Sequence, residues 1–78
     1  MYYVYILKQT DNQYYTGSTS NLKKRLNSHN NGQNISTKNK RPLILVWYAV
    51  FKNKKLAKDF EKYLKSSSGF SFRNKRLI

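Results

Sequence analysis

At 78 residues the chain has room for one domain, residues 1-78, whose core is only just large enough to fold alone. Its 16 Lys and Arg stand against only Asp11, Asp59 and Glu61, and the resulting charge of +13 attracts polyanions, so nucleic acid is the expected partner. Seven Tyr and four Phe exclude a disordered basic tail, and the lack of Cys excludes disulfides and thiolate metal sites.

No apolar run approaches the roughly 18 residues of a membrane span. The cations are scattered among aromatics instead of forming the polar face of one amphipathic helix, so no membrane role is expected. A soluble, cytoplasmic protein, at home in a bacterial cytosol or nucleoid, is the expectation.

Residues 2 to 8 (YYVYILK) and 13 to 19 (QYYTGST) are rich in β-branched and aromatic residues. Thr10-Asp11-Asn12 between them is turn chemistry, and the three segments together predict a hairpin. The first strand is apolar on both faces, which suits the centre of a sheet. Ser20 or Asn21 can cap a helix reaching Asn30, and Asn31-Gly32 can end it. Residues 33 to 42 (QNISTKNKRP) show no periodicity and are expected to form a mobile basic loop. LILVWYAVF, residues 43 to 51, is apolar without interruption and predicts a buried strand. Asn53 can cap a second helix, KKLAKDFEKYLKS, with Leu56, Phe60, Tyr63 and Leu64 at helical spacing. In the tail GFSFRNKRLI, Phe70, Phe72, Leu77 and Ile78 suggest packing back onto the domain. The order ββαβα plus a short C-terminal helix or turn predicts an α+β domain, a three-stranded antiparallel sheet flanked by helices.

Leu22, Arg25, Leu26 and His29 fall at i, i+3, i+4 and i+7, which puts an arginine and the only histidine on the stripe that should face the sheet. Two readings follow: Arg25 snorkels along the core edge and His29 is a satisfied interfacial residue, or both point into a site. Glu61 sits at the edge of the second helix's apolar stripe, either as an ion-pair partner of Lys58, Lys62 or Lys65 or as the hard oxygen ligand of a divalent cation. Asp11 belongs to the turn. Tyr2, Tyr3, Tyr14, Tyr48 and Tyr63 are assigned to packing or to stacking at the rim. For Tyr5 and Tyr15 composition does not decide.

"YVY" at 3 to 5, "YTG" at 15 to 17, Arg25 and His29 on the next helix, Glu61 on a later one and Asn74 near the end together resemble the GIY-YIG nuclease domain. The likeness is greatest to its small stand-alone bacterial members. Tyr3 stands where the first triplet has glycine and Val4 where it has isoleucine, while Thr16 replaces isoleucine in the second. The resemblance implies hydrolysis of nucleic-acid phosphodiesters, DNA more than RNA, with Mg2+ or Mn2+. It carries the catalytic positions to Tyr5, Tyr15, Arg25, His29 and Asn74, the metal position to Glu61, and a structural place in the site to Gly17.

On that basis Tyr5 acts as or assists the general base, which demands a phenol pKa well below its usual value of about 10. Tyr15 orients water or the phosphate, Arg25 offers a planar fork to phosphate oxygens, His29 hydrogen-bonds the base or relays its proton, and Asn74 adds a neutral polar contact. Tyr5 and Tyr15 share a sheet face only if the hairpin connection has an odd number of residues, such as Asp11-Asn12-Gln13. Gly17, on that face, is expected to leave room for the phosphate. Lys38, Lys40, Arg41, Lys52, Lys54, Lys55, Arg73, Lys75 and Arg76 are assigned to nucleic-acid backbone contacts. The alternative is a basic nucleic-acid-binding module of the same fold that cleaves little or not at all. A homodimer or a protein partner is compatible with either.

Overall fold

The hairpin turns where Asn12 takes up left-handed backbone (φ 67°), a conformation that asparagine tolerates better than most residues. Gln9 N–H bonds to Gln13 C=O at 2.8 Å, closing a three-residue connection, Thr10-Asp11-Asn12. Asp11 Oδ1 accepts from Gln13 N–H at 3.0 Å and its other oxygen pairs with Lys40 at 2.6 Å, so this carboxylate is spent on the turn. Odd connection length fixes the register: Tyr5 stands opposite Gly17 and Tyr15 opposite Leu7, and the two phenols share a face as the parity argument requires.

The computed structural model describes residues 1–35 and 37–78. Three strands, β1 (Tyr2–Lys8), β2 (Tyr14–Thr19) and β3 (Ile44–Phe51), form one antiparallel sheet in the order β2-β1-β3. Helix α1 (Leu22–Asn30) follows β2, a 3-10 turn (Lys38–Lys40) precedes β3, and α2 (Lys54–Leu64) and α3 (Ser67–Arg76) close the chain. This is the α+β sheet-and-helix architecture expected, with β1 central and a full third helix in the tail. Ser66 caps α3 through its side-chain oxygen, which accepts from Gly69 N–H, and both Asn21 and Asn53 cap their helices as the sequence predicts.

Two small cores lie on the two faces. Val4 and Ile6 meet Ala57 and Leu64 of the α2 side, with Trp47, Phe51, Phe60 and Leu77 around them. On the other face Tyr5 and Leu7 pack with Leu43, and Tyr15, Leu22, Leu26 and Leu45 surround them. Here α1 lays its apolar stripe on the sheet.

Two expectations are corrected. Strand β3 is apolar throughout yet lies at the sheet edge, and Ile44, Val46, Tyr48 and Val50 are exposed while the residues between them are half-buried. Its uninterrupted apolar run does not mean cover on both faces; α1 lies against Leu45 but leaves the outer part of that face open. Nor is segment 33–42 an unattached loop, although Ser36 lies outside the described residues. Thr37 is fully buried, Asn30 brackets Leu43 by bonding its N–H at 2.8 Å and its C=O at 3.4 Å, and Thr10 N–H bonds Lys40 C=O at 3.2 Å. These long-range polar contacts are invisible to a periodicity reading.

Candidate active site

Tyr5 is buried, and its ring runs across Gly17: a Cβ at that glycine would lie 2.5 Å from Tyr5 Oη and 2.7 Å from Cζ. The room expected for a phosphate is thus filled by the phenol itself, which Gly17 allows to reach the free edge of β2. There Tyr5 Oη lies 3.0 Å from His29 Nε2, and His29 Nδ1 lies 2.8 Å from Thr37 Oγ1. Tyr15 completes the cluster with its ring centroid 5.0 Å from that of His29 and 6.4 Å from that of Tyr5.

The hydrogen-bond chain admits a neutral imidazole in either of two tautomers. Burial, then the neighbouring Arg25 charge, pushes the His29 pKa below its ordinary value of 6.5, so the ring is neutral near pH 7. A neutral imidazole donates from one nitrogen and accepts at the other. In one tautomer Tyr5 O–H donates to Nε2 while Nδ1–H donates to Thr37 Oγ1, and in the other both bonds run the opposite way. The Tyr5 pKa is pushed up to about 12, chiefly by burial and then by Tyr15, and Arg25 lowers it only in part. Desolvation outweighs the single nearby guanidinium, so the phenol is neutral near pH 7 and not the depressed one that a free phenolate base demands.

Arg25 is exposed, and its charge and hydrogen bond act on Tyr5 while its charge also acts on His29. Of the two readings of the helical stripe, Arg25 points to the site; His29 is both buried and part of it. A cleft of about 400 Å³ opens beside Arg25, lined by Thr19, Ser20, Asn21, Lys24, Arg25 and Ser28. Its charged residues are all cations.

Glu61 approaches the same edge of β2 from the α2 side, where Ser18 Oγ donates to its Oε1. Lys65 Nζ lies at 2.8 Å and Lys58 Nζ at 3.7 Å, and Glu61 is close enough for its charge to raise the Tyr5 pKa. Burial opposes its ionisation, but the Lys65 and Ser18 hydrogen bonds and the two lysine charges together hold its pKa below the ordinary value of 4.5. Among the described residues no group of three or more His, Cys, Asp or Glu side chains is placed to hold a metal. One ionised carboxylate still fits Mg2+ or Mn2+, which keeps several waters and binds through one or two carboxylates plus substrate phosphate.

Other expected residues make different contacts. Asn74 is exposed and its Oδ1 accepts from Arg73 Nε at 3.2 Å and from a second Arg73 nitrogen at 3.0 Å, a contact within α3. Arg73 is buried, with its guanidinium 4.2 Å from the Phe70 ring centroid and 5.1 Å from that of Tyr14, so it does not stand as a surface phosphate contact. Lys40 and Lys55 are paired with Asp11 and Asp59, and Arg41 donates to Lys38 C=O at 2.8 Å. Lys38, Lys52, Lys54, Lys75 and Arg76 are exposed. Thr37 and Ser18 were not legible as site residues. Thr37 carries no sequence signal, because a hydroxyl in an aperiodic polar segment has no distinguishing pattern.

Comparisons with known proteins supply the family and agree with the fold. The model of the GIY-YIG catalytic domain matches residues 1–76. The chain belongs to the GIY-YIG family. It is 47% identical over 66 residues to a UPF0213 protein of Clostridium perfringens, covering 83% of this chain and 71% of that one. To a UPF0213 protein of Staphylococcus haemolyticus it is 41% identical over 68 residues, 86% and 83% of the two chains. The solution NMR structure of a UPF0213 protein from Bacillus halodurans superposes with a TM-score of 0.60 at 29% identity, covering 99% of this chain and 87% of that one. Among the described residues of this GIY-YIG chain no helix is long and apolar enough to cross a membrane.

Proposed function

We propose that the chain is a divalent-metal-dependent endonuclease that hydrolyses nucleic-acid phosphodiesters, DNA in the first instance, at the edge of β2. The observation that carries this reading is the hydrogen-bonded line from Tyr5 through His29 to Thr37, set between an exposed arginine and an ionised glutamate. Arg25 is the exposed member beside the buried Tyr5 hydroxyl, so a phosphate that draws the guanidinium onto its own oxygens uncovers that hydroxyl. Arginine suits the task because its fork matches two phosphoryl oxygens at once.

The raised Tyr5 pKa argues for a relay in place of a standing phenolate. As water attacks phosphorus, its proton passes to Tyr5 Oη while the Tyr5 proton moves to His29 Nε2. The new O–P bond forms, the P–O bond to the leaving sugar oxygen breaks, and that oxygen takes its proton from solvent. Thr37 holds Nδ1–H and so keeps Nε2 free to accept. Tyr15, half-buried beside the ring, orients the water or the phosphate. Glu61 would hold Mg2+ or Mn2+, which supplies positive charge to the phosphoryl oxygens and the leaving group.

The test is cleavage of labelled single-stranded, duplex and branched DNA, with an RNA control, by the wild type, Tyr5→Phe and Glu61→Ala in Mg2+, Mn2+ or EDTA. Expected is metal-dependent cutting that falls by at least about 100-fold in Tyr5→Phe, with binding in EDTA unchanged. Undiminished cutting by Tyr5→Phe removes the relay. Salt-sensitive binding by the wild type without cutting in either metal replaces the nuclease with a basic nucleic-acid-binding module.

A further inference from the structure

The face of the sheet under α1 carries a second pair of tyrosines that the hydrolytic reading leaves unused. Tyr3 and Tyr48 have ring centroids 6.4 Å apart with planes inclined at 51°. Both adjoin the reacting phenol: Tyr48 is the cross-strand partner of Tyr5, and Tyr3 is the next residue of β1 on the same face. Tyr48 is 51% exposed, and its edge-strand neighbours Val46 and Val50 are exposed too. Single apolar residues at a surface need no explanation, but a contiguous patch of them beside a site does.

These two rings line a groove of about 600 Å³ walled by Leu22, Leu26 and Leu45, with Asn21 and Lys23 at its rim. Ser20 and Asn21 also line the cleft at Arg25, so groove and cleft meet at the N-terminus of α1. The charged residues lining the two are Lys23, Lys24 and Arg25, and no carboxylate lines either. A polyanion fits that path, and a strand whose phosphate lies at Arg25 brings its neighbouring base to the groove.

We infer that Tyr3 and Tyr48 are a stacking platform for an unpaired base of the substrate strand, which makes single-stranded or locally opened nucleic acid the ligand of this site. The inference rests on the nucleic-acid reading above but not on cleavage. A base inside a duplex has both faces covered by its neighbours, so only an unpaired one can lie on a tyrosine ring. Every base offers a π-face, so the platform tolerates any sequence. A second copy of this chain is the rival occupant of the groove, and the +13 charge on each copy opposes it.

The test is fluorescence anisotropy in EDTA, where no metal-dependent cutting occurs, with the full chain and three labelled probes: a short oligodeoxythymidylate, the same length of abasic backbone, and a duplex. Expected for Tyr48→Ala is a loss of about 5- to 150-fold in affinity for the oligodeoxythymidylate, with abasic and duplex affinities unchanged. Tyr48→Phe, which keeps the ring, should bind as the wild type does. Circular dichroism of both variants confirms the fold, and Tyr48 is exposed enough for its truncation to spare it. Equal losses on all three probes, or none on the oligodeoxythymidylate, overturn the platform. So does a wild-type dimer in sedimentation velocity that Tyr48→Ala dissociates. Base-dependent binding through Tyr48 by a wild type that never cuts in Mg2+ would end the nuclease reading and leave the platform standing, and cutting without any effect of Tyr48→Ala would do the reverse.

Discussion

His29 is fully buried and has two ring nitrogens to satisfy, and in the tautomer that the relay needs Thr37 accepts from Nδ1–H. Thr37→Val keeps the shape and removes the acceptor. The buried Nδ1–H then loses its bond, at a cost of about 1–3 kcal/mol, and the ring is free to move its proton to Nε2, where it can no longer accept from Tyr5. Urea unfolding should register the loss, 15N shifts of the imidazole should report the changed tautomer, and Thr37→Ser should restore both. The pH dependence of stability has a defined sign at the same two residues. The folded-state pKa of His29 lies below 6.5, so its contribution is present above pH 6.5 and is lost as pH falls through the lower folded value. The Tyr5 pKa is raised to about 12, so its contribution is present below pH 10 and is lost as pH rises towards about 12. Unfolding free energies should therefore be level between those limits, and an acid loss absent in a stable His29 variant would confirm its source. A wild type equally stable below the His29 range would contradict a buried neutral imidazole.

At the scale of elements, the junction of α2 and α3 tolerates no side chain at Gly69. A Cβ there would overlap the backbone carbonyl of Tyr63 and crowd Leu64 Cα, and backbone cannot turn aside as a flexible side chain can. Gly69→Ala should lower stability by about 3 kcal/mol, the upper end for overpacking, despite alanine's better helix propensity. A thermal melt equal to the wild type would mean that α3 docks elsewhere. This helix was the least legible element, because Ser67, Ser68 and Gly69 are poor helix formers and Ser66 signals its start only once the end of α2 is known. Helices α1 and α2 announce themselves by Asn21 and Asn53, residues whose side chains compete for backbone donors. The hairpin register was legible only as a condition: parity puts Tyr5 and Tyr15 on one face if the connection is odd, and Thr10-Asp11-Asn12 meets that condition. Strand β3 misled because composition reports burial of the sequence and not of each face. Gly17 misled in a subtler way: the empty space beside a glycine was legible, but the occupant was not, since Tyr5 lies across the hairpin and fills it.

Across the whole molecule the imbalance of charge sets how folding and binding respond to salt. Asp11, Asp59 and Glu61 are all already engaged, by Lys40, by Lys55, and by Lys58 with Lys65, so the remaining cations have no carboxylate left to pair with. The domain measures 28 × 26 × 17 Å. At about 0.01 M salt the screening length is about 30 Å, so every cation feels every other, whereas at about 0.15 M it is about 8 Å and only neighbours interact. Salt should therefore stabilise the fold, against the usual expectation for a protein with surface ion pairs, because the repulsion relieved exceeds the four exposed or half-exposed pairs weakened. In a domain of this size each kcal/mol gained raises the melting temperature by about 4–8 °C. Nucleic-acid affinity should move the other way, since each phosphate contact releases counterions whose return is favoured by salt. Thermal melts and anisotropy titrations across one salt series measure both. A melting temperature that falls with salt would mean that the ion pairs dominate, and an affinity that does not fall would mean that the cations are not the contacts that hold the polyanion.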